Sequence, residues 1–498
     1  MIYNFNLGIG WASSGVEYAQ SYRAKVLRNI GAPAKFIFTD MFPRDNLIDM
    51  TRNIGFEDDE IIWLYTFFTD YKPEKVTYTL KMLLDTIEQQ DYKYERDGKI
   101  GRVLFGGENN FYRIYFVNGT DDYVHRVEMV SRGCLIRKDY FMSGRVFSEY
   151  YGPLDGKAHL YQRRYFNRDG SVAYEEIIDD NQIMYKLKNQ LICSKEELIG
   201  YMVKCLKPGR EDILIIDRAT GQAQAILENA NDAKVGVVIH ADHFSEGATD
   251  EDNILWNNYY EYTFSMNKHI DFYITATEDQ RKLLIAQFEK YMGVTPTVYT
   301  IPVGSLPELK MPEEMRRKHS LITASRLATE KHVDWLINAV VEARKTIPDI
   351  SLDIYGKGGA EITLNEQIQK LGASQYIHLM GQHDLTDVYV KYEAYLSAST
   401  SEGFGLTLME AIGSGLPIIG FDVRYGNQNF ITNGKNGYRL PYAVGMESKR
   451  RQKKMVEAII KLFTEDDIKE FSLHSYKKAE KYLANEVEAK WKNLVEMK

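Results

Sequence analysis

The chain has 498 residues, room for roughly two to four domains with sizeable cores. Its net charge of −8 and pI near 5.8 argue against nucleic acid as the main partner, while leaving room for a local basic patch. Three cysteines, Cys134, Cys193 and Cys205, form no CxxC pair and leave an odd one over, so free thiols in a reducing compartment are expected and structural zinc is not.

The first residues read as a strand, Ile2-Tyr-Asn-Phe-Asn-Leu7, with no charged-then-apolar leader. No apolar run reaches the length of about 18 residues needed to cross a bilayer. Leu7-Gly-Ile-Gly-Trp-Ala-Ser-Ser-Gly-Val-Glu-Tyr18 is a glycine turn opening a helix, and Lys35-Phe-Ile-Phe-Thr39 supplies the next strand. A helical stretch is expected from Lys75 to Gln89. From Tyr92 to Lys188 short aromatic and β-branched runs alternate with turn signals at Asp97-Gly98, Gly106-Gly107, Asn118-Gly119, Asp155-Gly156 and Asp169-Gly170, the pattern of antiparallel hairpins. Phe111-Tyr-Arg-Ile-Tyr-Phe-Val117 and His159-Leu-Tyr-Gln-Arg-Arg-Tyr-Phe166 are typical strands. Asn118-Gly-Thr120 has the form of a glycosylation sequon but reads as one of these turns. The hairpins are expected to expose alternate aromatic and basic residues, among them Arg163, Arg164 and Tyr165. The 35 tyrosines suit cross-strand packing as well as sugar- or protein-facing surfaces. A sheet of this kind either recruits a partner through its edge or face, or serves as a structural lid.

Alternation of strand and helix resumes near 196. Asp212-Ile-Leu-Ile-Ile-Asp217, Lys234-Val-Gly-Val-Val-Ile-His240 and Asp271-Phe-Tyr-Ile-Thr-Ala276 are continuous apolar runs, as strands of a parallel sheet are. His240 ends one of them, where a histidine is either a satisfied structural residue or faces a ligand; His243 reads as structural. Asp250-Glu-Asp252 has the form of a metal-binding DxD but sits in a Ser/Gly/Asp-rich loop and reads as a solvated turn. Thr297-Val-Tyr-Thr-Ile-Pro-Val-Gly-Ser305 looks like a hinge. A second series of strands is expected at Ser320, Ile350, Tyr376, Ala394 and Leu416, and Leu473–Lys498 is a charged amphipathic helix.

Chemistry concentrates in this second series. Ser320-Leu-Ile-Thr-Ala-Ser-Arg-Leu-Ala-Thr-Glu-Lys331 is a strand ending in a basic loop. Arg326 offers a planar fork and Lys331 a compact charge, a combination suited to a diphosphate at the C-terminal end of a strand. In Ser401-Glu-Gly-Phe-Gly-Leu-Thr-Leu-Met-Glu-Ala411 a glycine-flanked acidic turn opens an apolar helix, whose unpaired amides suit an anion or sugar hydroxyls. Eight residues carry a helix roughly 80° past two full turns, so Glu402 and Glu410 are expected to stack along one side. Taken alone, the pair also reads as a dipole-stabilising acid and a solvated glutamate. Tyr355-Gly-Lys-Gly358 and Met380-Gly-Gln-His-Asp-Leu385 are further turns at strand ends.

Arg326, Lys331 and Glu402-x7-Glu410, in order with His240 and the opening glycine loop, resemble the retaining glycosyltransferases of family 4. Nearly the whole chain, and its inserted β domain in particular, is similar to the catalytic subunits of accessory-secretion glucosaminyltransferases; a few wall-teichoic-acid glycosyltransferases share the insert. The resemblance implies an α/β fold of GT-B architecture, two Rossmann-like domains facing a cleft with an inserted antiparallel β-sheet domain. The expected division is 1–45 with 196–303 for the N-terminal, acceptor-side domain, 46–195 for the insert, 304–472 for the nucleotide-sugar domain and 473–498 for a helix crossing back to the first.

The implied activity is retaining transfer of N-acetylglucosamine from UDP-N-acetylglucosamine to Ser/Thr hydroxyls of a serine-rich repeat adhesin, beside a homologous non-catalytic subunit. The alternatives are glycosylation of polyribitol-phosphate teichoic acid and a non-catalytic acceptor-binding scaffold. Arg326 and Lys331 would neutralise the leaving diphosphate, helped by Gly403, Phe404 and Gly405 and by Gly15, Val16, Glu17 and Tyr18. Glu402 and His240 would hold the donor sugar and Glu410 the ribose diol, with Gln382 and His383 at the base and Thr407 and Leu408 completing the contacts. With no residue presenting itself as a covalent nucleophile, front-face displacement is expected. Neither metal nor cofactor is expected, and the expected location is the cytoplasm, with contact at the inner membrane face left open.

Overall fold

The computed structural model describes residues 1–11, 15–89, 91–106, 109–180 and 182–497. Ala12, Ser13 and Ser14 of the glycine loop, Gly107 of one expected turn and Lys498 of the last helix lie outside them. The chain forms two compact units, Met1–Val238 with Asn258–Asp271 and Ile239–Asn257 with Phe272–Lys498.

In the first unit a parallel sheet runs in the order Lys234–Ile239, Ile213–Ile216, Ile2–Asn6, Ala34–Phe38, Ile61–Trp63. Its strands are buried on both faces, with Phe5, Phe36, Phe38 and Leu214 at 0% exposure, as their unbroken apolar runs require. The helix Gly15–Asn29 is tied to the sheet by a buried ion pair: both terminal nitrogens of Arg23 donate to Asp217 at 2.9 Å, and Nη1 also donates to Asn4 Oδ1 at 2.8 Å.

The insert is a ten-stranded antiparallel meander from Lys93–Asp97 to Gln190–Ile192, each strand paired with its neighbours in sequence. Asp155-Gly156 holds both residues at positive φ (50° and 72°), the backbone of a two-residue hairpin loop. The sheet begins at Lys93, where the hairpin pattern from Tyr92 places it. Ile61–Trp63, only three residues long and without turn signals of its own, pairs with Phe36–Phe38 and belongs to the parallel sheet. The expected helix from Lys75 to Gln89 shrinks to Leu80–Asp85, capped by Thr79. The preceding Thr77 and Tyr78 instead donate their amides to Met142 O, because β-branched and aromatic residues suit an extended edge.

Arg163 and Tyr165 correct a second expectation. Neither is displayed on the sheet surface; only Arg164 is, with 41% of its side chain exposed. Tyr165 is fully buried and stacks on Tyr174 with ring centroids 4.2 Å apart, while its hydroxyl donates to Glu176 at 2.8 Å. Arg163 lies between two buried carboxylates, donating to Glu149 at 3.0 Å and to Glu176 at 3.2 Å. Burial pushes the Glu149 carboxyl up, but hydrogen bonds from Tyr151 and Tyr140 and the Arg163 guanidinium outweigh it and hold it below the usual carboxylate value.

In the second unit a six-stranded parallel sheet runs Ile377–Gly381, Ser351–Tyr355, Ser320–Ala324, Ala394–Ser397, Ile418–Phe421, Gly437–Leu440. The last strand lacked an apolar run to announce it. It packs so closely that a Cβ on Gly437 would overlap the Ile418 carbonyl. Phe272–Thr275 and Val298–Thr300 pair with each other in parallel. The terminal segment is two helices, Ile468–Ala479 and Ala484–Val495, broken at the extended Leu483, whose neighbours bond to Leu306 on both sides. The second helix reaches back to Thr300, whose carbonyl accepts from Lys490 at 3.4 Å. Among the described residues no helix is long and apolar enough to cross a membrane.

Replacing Arg163 by Ala leaves Glu149 and Glu176 buried without their cation and should cost about 3–5 kcal/mol of unfolding free energy, read from the urea midpoint at pH 7. Because Glu149 is held below its ordinary value, its contribution in the parent protein is present above the unfolded carboxyl pKa, about 4.3, and is lost as pH falls through the folded one. The gap between variant and parent should therefore narrow on acidification.

Candidate functional site

The loop after strand Ser320–Ala324 carries the two basic residues, and neighbouring glycines let it pack. A Cβ on Gly356 would overlap the Ser325 carbonyl and one on Gly358 the Leu327 carbonyl, so this glycine turn first of all admits the basic loop. Hydrogen bonds from the Ser325 amide to Tyr355 O (3.1 Å) and from the Leu327 amide to Lys357 O (2.9 Å) fix the approach. A short turn, Thr329–Lys331, then leads into helix Val333–Ala343.

Lys331 Nζ lies 2.6 Å from Glu402 Oε2, with 18% and 22% of the two side chains exposed. Arg326 is placed differently: its side chain is 73% exposed and pairs with Glu330 at 2.6 Å. The structure thus joins one of the two expected cations to the acidic turn and leaves the other on the same loop, loosely held, since exposed pairs contribute only about 0–1 kcal/mol.

Glu402 is held through its backbone. Its amide donates to Arg424 O at 3.1 Å, and its carbonyl accepts from Tyr425 N at 2.7 Å and Gly426 N at 2.8 Å. The helix begins only at Leu406, after Gly405 with φ of 87°, so Glu402 precedes it and does not stack with Glu410 along one helical side. Helical spacing was the wrong ruler because the glycine breaks the helical path between them. The amides of Gly403, Phe404, Gly405, Leu406 and Thr407 make no hydrogen bond among the described residues, which leaves a fan of donors at the helix start. Phe404 and Leu408 are 6% and 2% exposed and belong to the core, and the Leu408 amide is already bonded to Gly405 O at 3.0 Å. Thr407 Oγ1 is held 3.0 Å from the buried Tyr395 hydroxyl.

His240 follows strand Lys234–Ile239 and is half-buried; its carbonyl lies 3.1 Å from where a Cβ of Gly403 would stand. His243 is fully buried between Gln287 (2.7 Å) and the Tyr425 hydroxyl (3.1 Å), and burial pushes it down to about 4, so it stays neutral. It supports Tyr425 and through it the Glu402 turn, a role for which no motif in the chain gives a signal. Asp250 accepts from the amides of Asp252 and Asn253 at 2.9 and 2.7 Å, a turn as expected. Among the described residues no group of His, Cys, Asp and Glu could hold a metal ion.

Glu410 borders a cavity of about 380 Å³ lined also by His383, Asp384, Leu385, Tyr389 and Lys310. Burial, with a contribution from Asp384, raises the Glu410 carboxyl above its ordinary value, while the Tyr389 hydroxyl, donating to Oε2 at 2.9 Å, draws it back. His383 borders the cavity and pairs with Met380 O at 2.7 Å; Gln382 is exposed and is not part of the lining.

In the first unit Gly15, Val16, Glu17 and Tyr18 open helix Gly15–Asn29. Glu17 turns inward to Arg218 and Asn6, both at 3.4 Å, whereas Tyr18 is 49% exposed.

Residues 93–189 match the family model of the GtfA extended beta-sheet domain, and residues 310–481 that of glycosyl transferases group 1. The chain is 52% identical over 495 residues to the GtfA subunit of the Streptococcus gordonii UDP-N-acetylglucosamine–peptide N-acetylglucosaminyltransferase, covering 99% of this chain and 98% of that one. Among solved structures, a GtfA/B complex matches with a TM-score of 0.97 at 52% identity over 99% of both chains. The pneumococcal O-GlcNAc transferase GtfA in complex with UDP and GlcNAc matches with a TM-score of 0.89 at 46% identity, over 99% of this chain and 98% of that one. The Staphylococcus aureus poly(ribitol-phosphate) alpha-N-acetylglucosaminyltransferase is more distant, 23% identical over 72% of this chain and 73% of its own.

Gly426 has no room for a side chain, since a Cβ would overlap the Phe404 carbonyl and press on Glu402 Cγ. Gly426→Ala should therefore cost about 1–3 kcal/mol of stability and displace the Glu402 carbonyl from its two amide donors, seen as lost protection of the Tyr425 and Gly426 amides in hydrogen exchange.

Proposed function

Because the chain belongs to the GtfA subunits of the UDP-N-acetylglucosamine–peptide N-acetylglucosaminyltransferases, we propose that it moves N-acetylglucosamine from UDP-N-acetylglucosamine to Ser and Thr hydroxyls of a serine-rich adhesin polypeptide. It is a glycosyltransferase of the GT-B class with an antiparallel insert, and it works beside a homologous subunit in a GtfA/B-type complex. The cytoplasm, where the nucleotide sugar is made, is the proposed place of work. The observation that carries the chemistry is the Lys331–Glu402 contact at the mouth of a helix whose first amides are open. A relative at 23% identity gives the teichoic-acid reading much less weight than the peptide reading has at 52%.

The leaving group is a diphosphate, and its growing charge needs fixed positive partners. Lys331 supplies one at a position set by Glu402. Arg326 supplies a second by exchanging its weak contact with Glu330 for a phosphate oxygen, and the start of helix Leu406–Gly413, with its unbonded amides, adds partial positive charge. Glu402 accepts from hydroxyls of the donor sugar, and His240 orients that sugar from the other side of Gly403. Glu410 accepts from the ribose diol in the cavity it borders, with His383 and Gln382 toward the base. In the transfer step the anomeric C–O bond to phosphate breaks and the bond from the acceptor oxygen forms on the same face. The acceptor proton passes to the departing phosphate oxygen, giving UDP and an α-linked glycopeptide without a covalent enzyme intermediate.

With the complex and a Ser/Thr-rich peptide, Lys331→Ala should lower kcat about a hundredfold and Glu402→Gln at least as much, measured by release of UDP, with the product anomer assigned by NMR. Unchanged turnover in Glu402→Gln, or transfer to poly(ribitol phosphate) in preference to peptide, would overturn the assignment.

A further inference from the structure

Glu410 is not left to find its own orientation. It sits on helix Leu406–Gly413 and borders the cavity, which is also lined by Tyr389, a residue only 2% exposed. That ring packs in the core cluster with Leu408 and Ile412 and lies 6.3 Å from the ring of Tyr395. Its one polar atom donates to Glu410 Oε2 at 2.9 Å. Burial raises the phenol far above its ordinary value, so it remains a donor throughout the physiological range.

We propose that Tyr389 is a positioning residue that fixes the Glu410 carboxylate to receive a vicinal diol, and thereby makes the protein select ribonucleotide over 2′-deoxyribonucleotide donors. The proposal rests on the assignment of Glu410 to the ribose made above. An ionised carboxylate offers about four lone-pair sites. Tyr389 takes one on Oε2, which leaves Oε1 and the remaining lone pair of Oε2 to accept two adjacent O–H groups. A glutamate on a helix has several rotatable bonds between backbone and carboxylate; the buried hydroxyl selects one setting before the donor arrives, so less ordering remains to be done on binding. Its hydrogen bond also favours the ionised, accepting form against the burial that raises the carboxyl. Asp384, itself held by Thr386 N at 3.0 Å and Thr386 Oγ1 at 2.6 Å, faces the same group and opposes its charge. His383, Lys310 and Glu308 are the other ionisable groups lining the space.

The test uses the chain with its partner subunit and two donors, UDP-N-acetylglucosamine and its 2′-deoxyuridine counterpart. Tyr389→Phe keeps the ring and removes the donor. It should raise KM for the ribonucleotide donor about tenfold, the scale of one hydrogen bond to a charged group, with kcat little changed. The preference for ribose should fall by a similar factor. Without the hydroxyl the Glu410 carboxyl rises further, so the acid limb of the KM profile should move to higher pH. Glu410→Gln should lose the same preference, and Tyr389→Phe added to Glu410→Gln should change nothing more. If Tyr389→Phe leaves KM and ribose preference intact while Glu410→Gln alters them, or if the two effects add in full, Tyr389 only packs and the proposal fails. If Glu410→Gln itself leaves the ribose preference intact, the ribose assignment fails and takes this proposal with it, while peptide transfer is untouched.

Discussion

The contact between Lys331 and Glu402 is the constraint on which the arrangement of the second unit's candidate site depends. A lysine ammonium 2.6 Å from a carboxylate, both largely removed from solvent, holds two loops from different strands at one point. Neither loop could reach that point with ordinary side chains in the way. Gly356 and Gly358 let the basic loop settle against its neighbour, and Gly426 lets the chain pass the Phe404 carbonyl so that Glu402 receives two amides. His243, kept neutral by burial, and Tyr425 close the support from behind. A cation fixed in this way needs little rearrangement to meet a developing charge, and that is where electrostatic catalysis draws its strength.

The insert solves a different problem with similar means. A long antiparallel meander has one face that must be covered, and here aromatic rings do much of the covering: Tyr140, Phe147, Tyr165 and Tyr174 stack in succession. The tyrosine hydroxyls inside that stack need acceptors: Tyr174 donates to the Tyr65 carbonyl, and Tyr140 and Tyr165 donate to the carboxylates Glu149 and Glu176, which in turn need Arg163. A satisfied network of this kind fixes strand register, because a one-residue slip would carry every member to the opposite face. The same network explains why so many tyrosines in the insert are structural and why the surface it presents differs from the one expected.

The two glutamates of the acidic segment do separate work. Glu402, outside the helix, belongs to the loop that meets Lys331; Glu410, inside it, belongs to the cavity beside His383 and Tyr389. The glycine at 405, with its positive φ, separates them by ending one backbone path and starting another. A single short segment thereby supplies carboxylates to two separate places in the second unit.

Much of the fold was legible in the chain itself. Continuous apolar runs announced strands Ile213–Ile216, Lys234–Ile239 and Ser320–Ala324, because a strand buried on both faces has no polar side to show. Asp-Gly and Asn-Gly pairs announced the hairpins, because few other residues tolerate positive φ in a two-residue loop. Lys331, Glu402 and Glu410 stood out by residue type and order. What local pattern does not contain is the partner each group finds at long range. Ile61–Trp63 is a strand only because Phe36–Phe38 lies beside it, and Gly437–Leu440 only because Ile418 approaches it. Arg163 is buried, Arg326 is turned to Glu330, and Tyr389 is joined to Glu410 across 21 positions of sequence. Backbone preference and hydrophobic period act between near neighbours and so can be read along the chain; ion pairs, close backbone approaches and buried hydrogen bonds join residues that only the tertiary structure brings together.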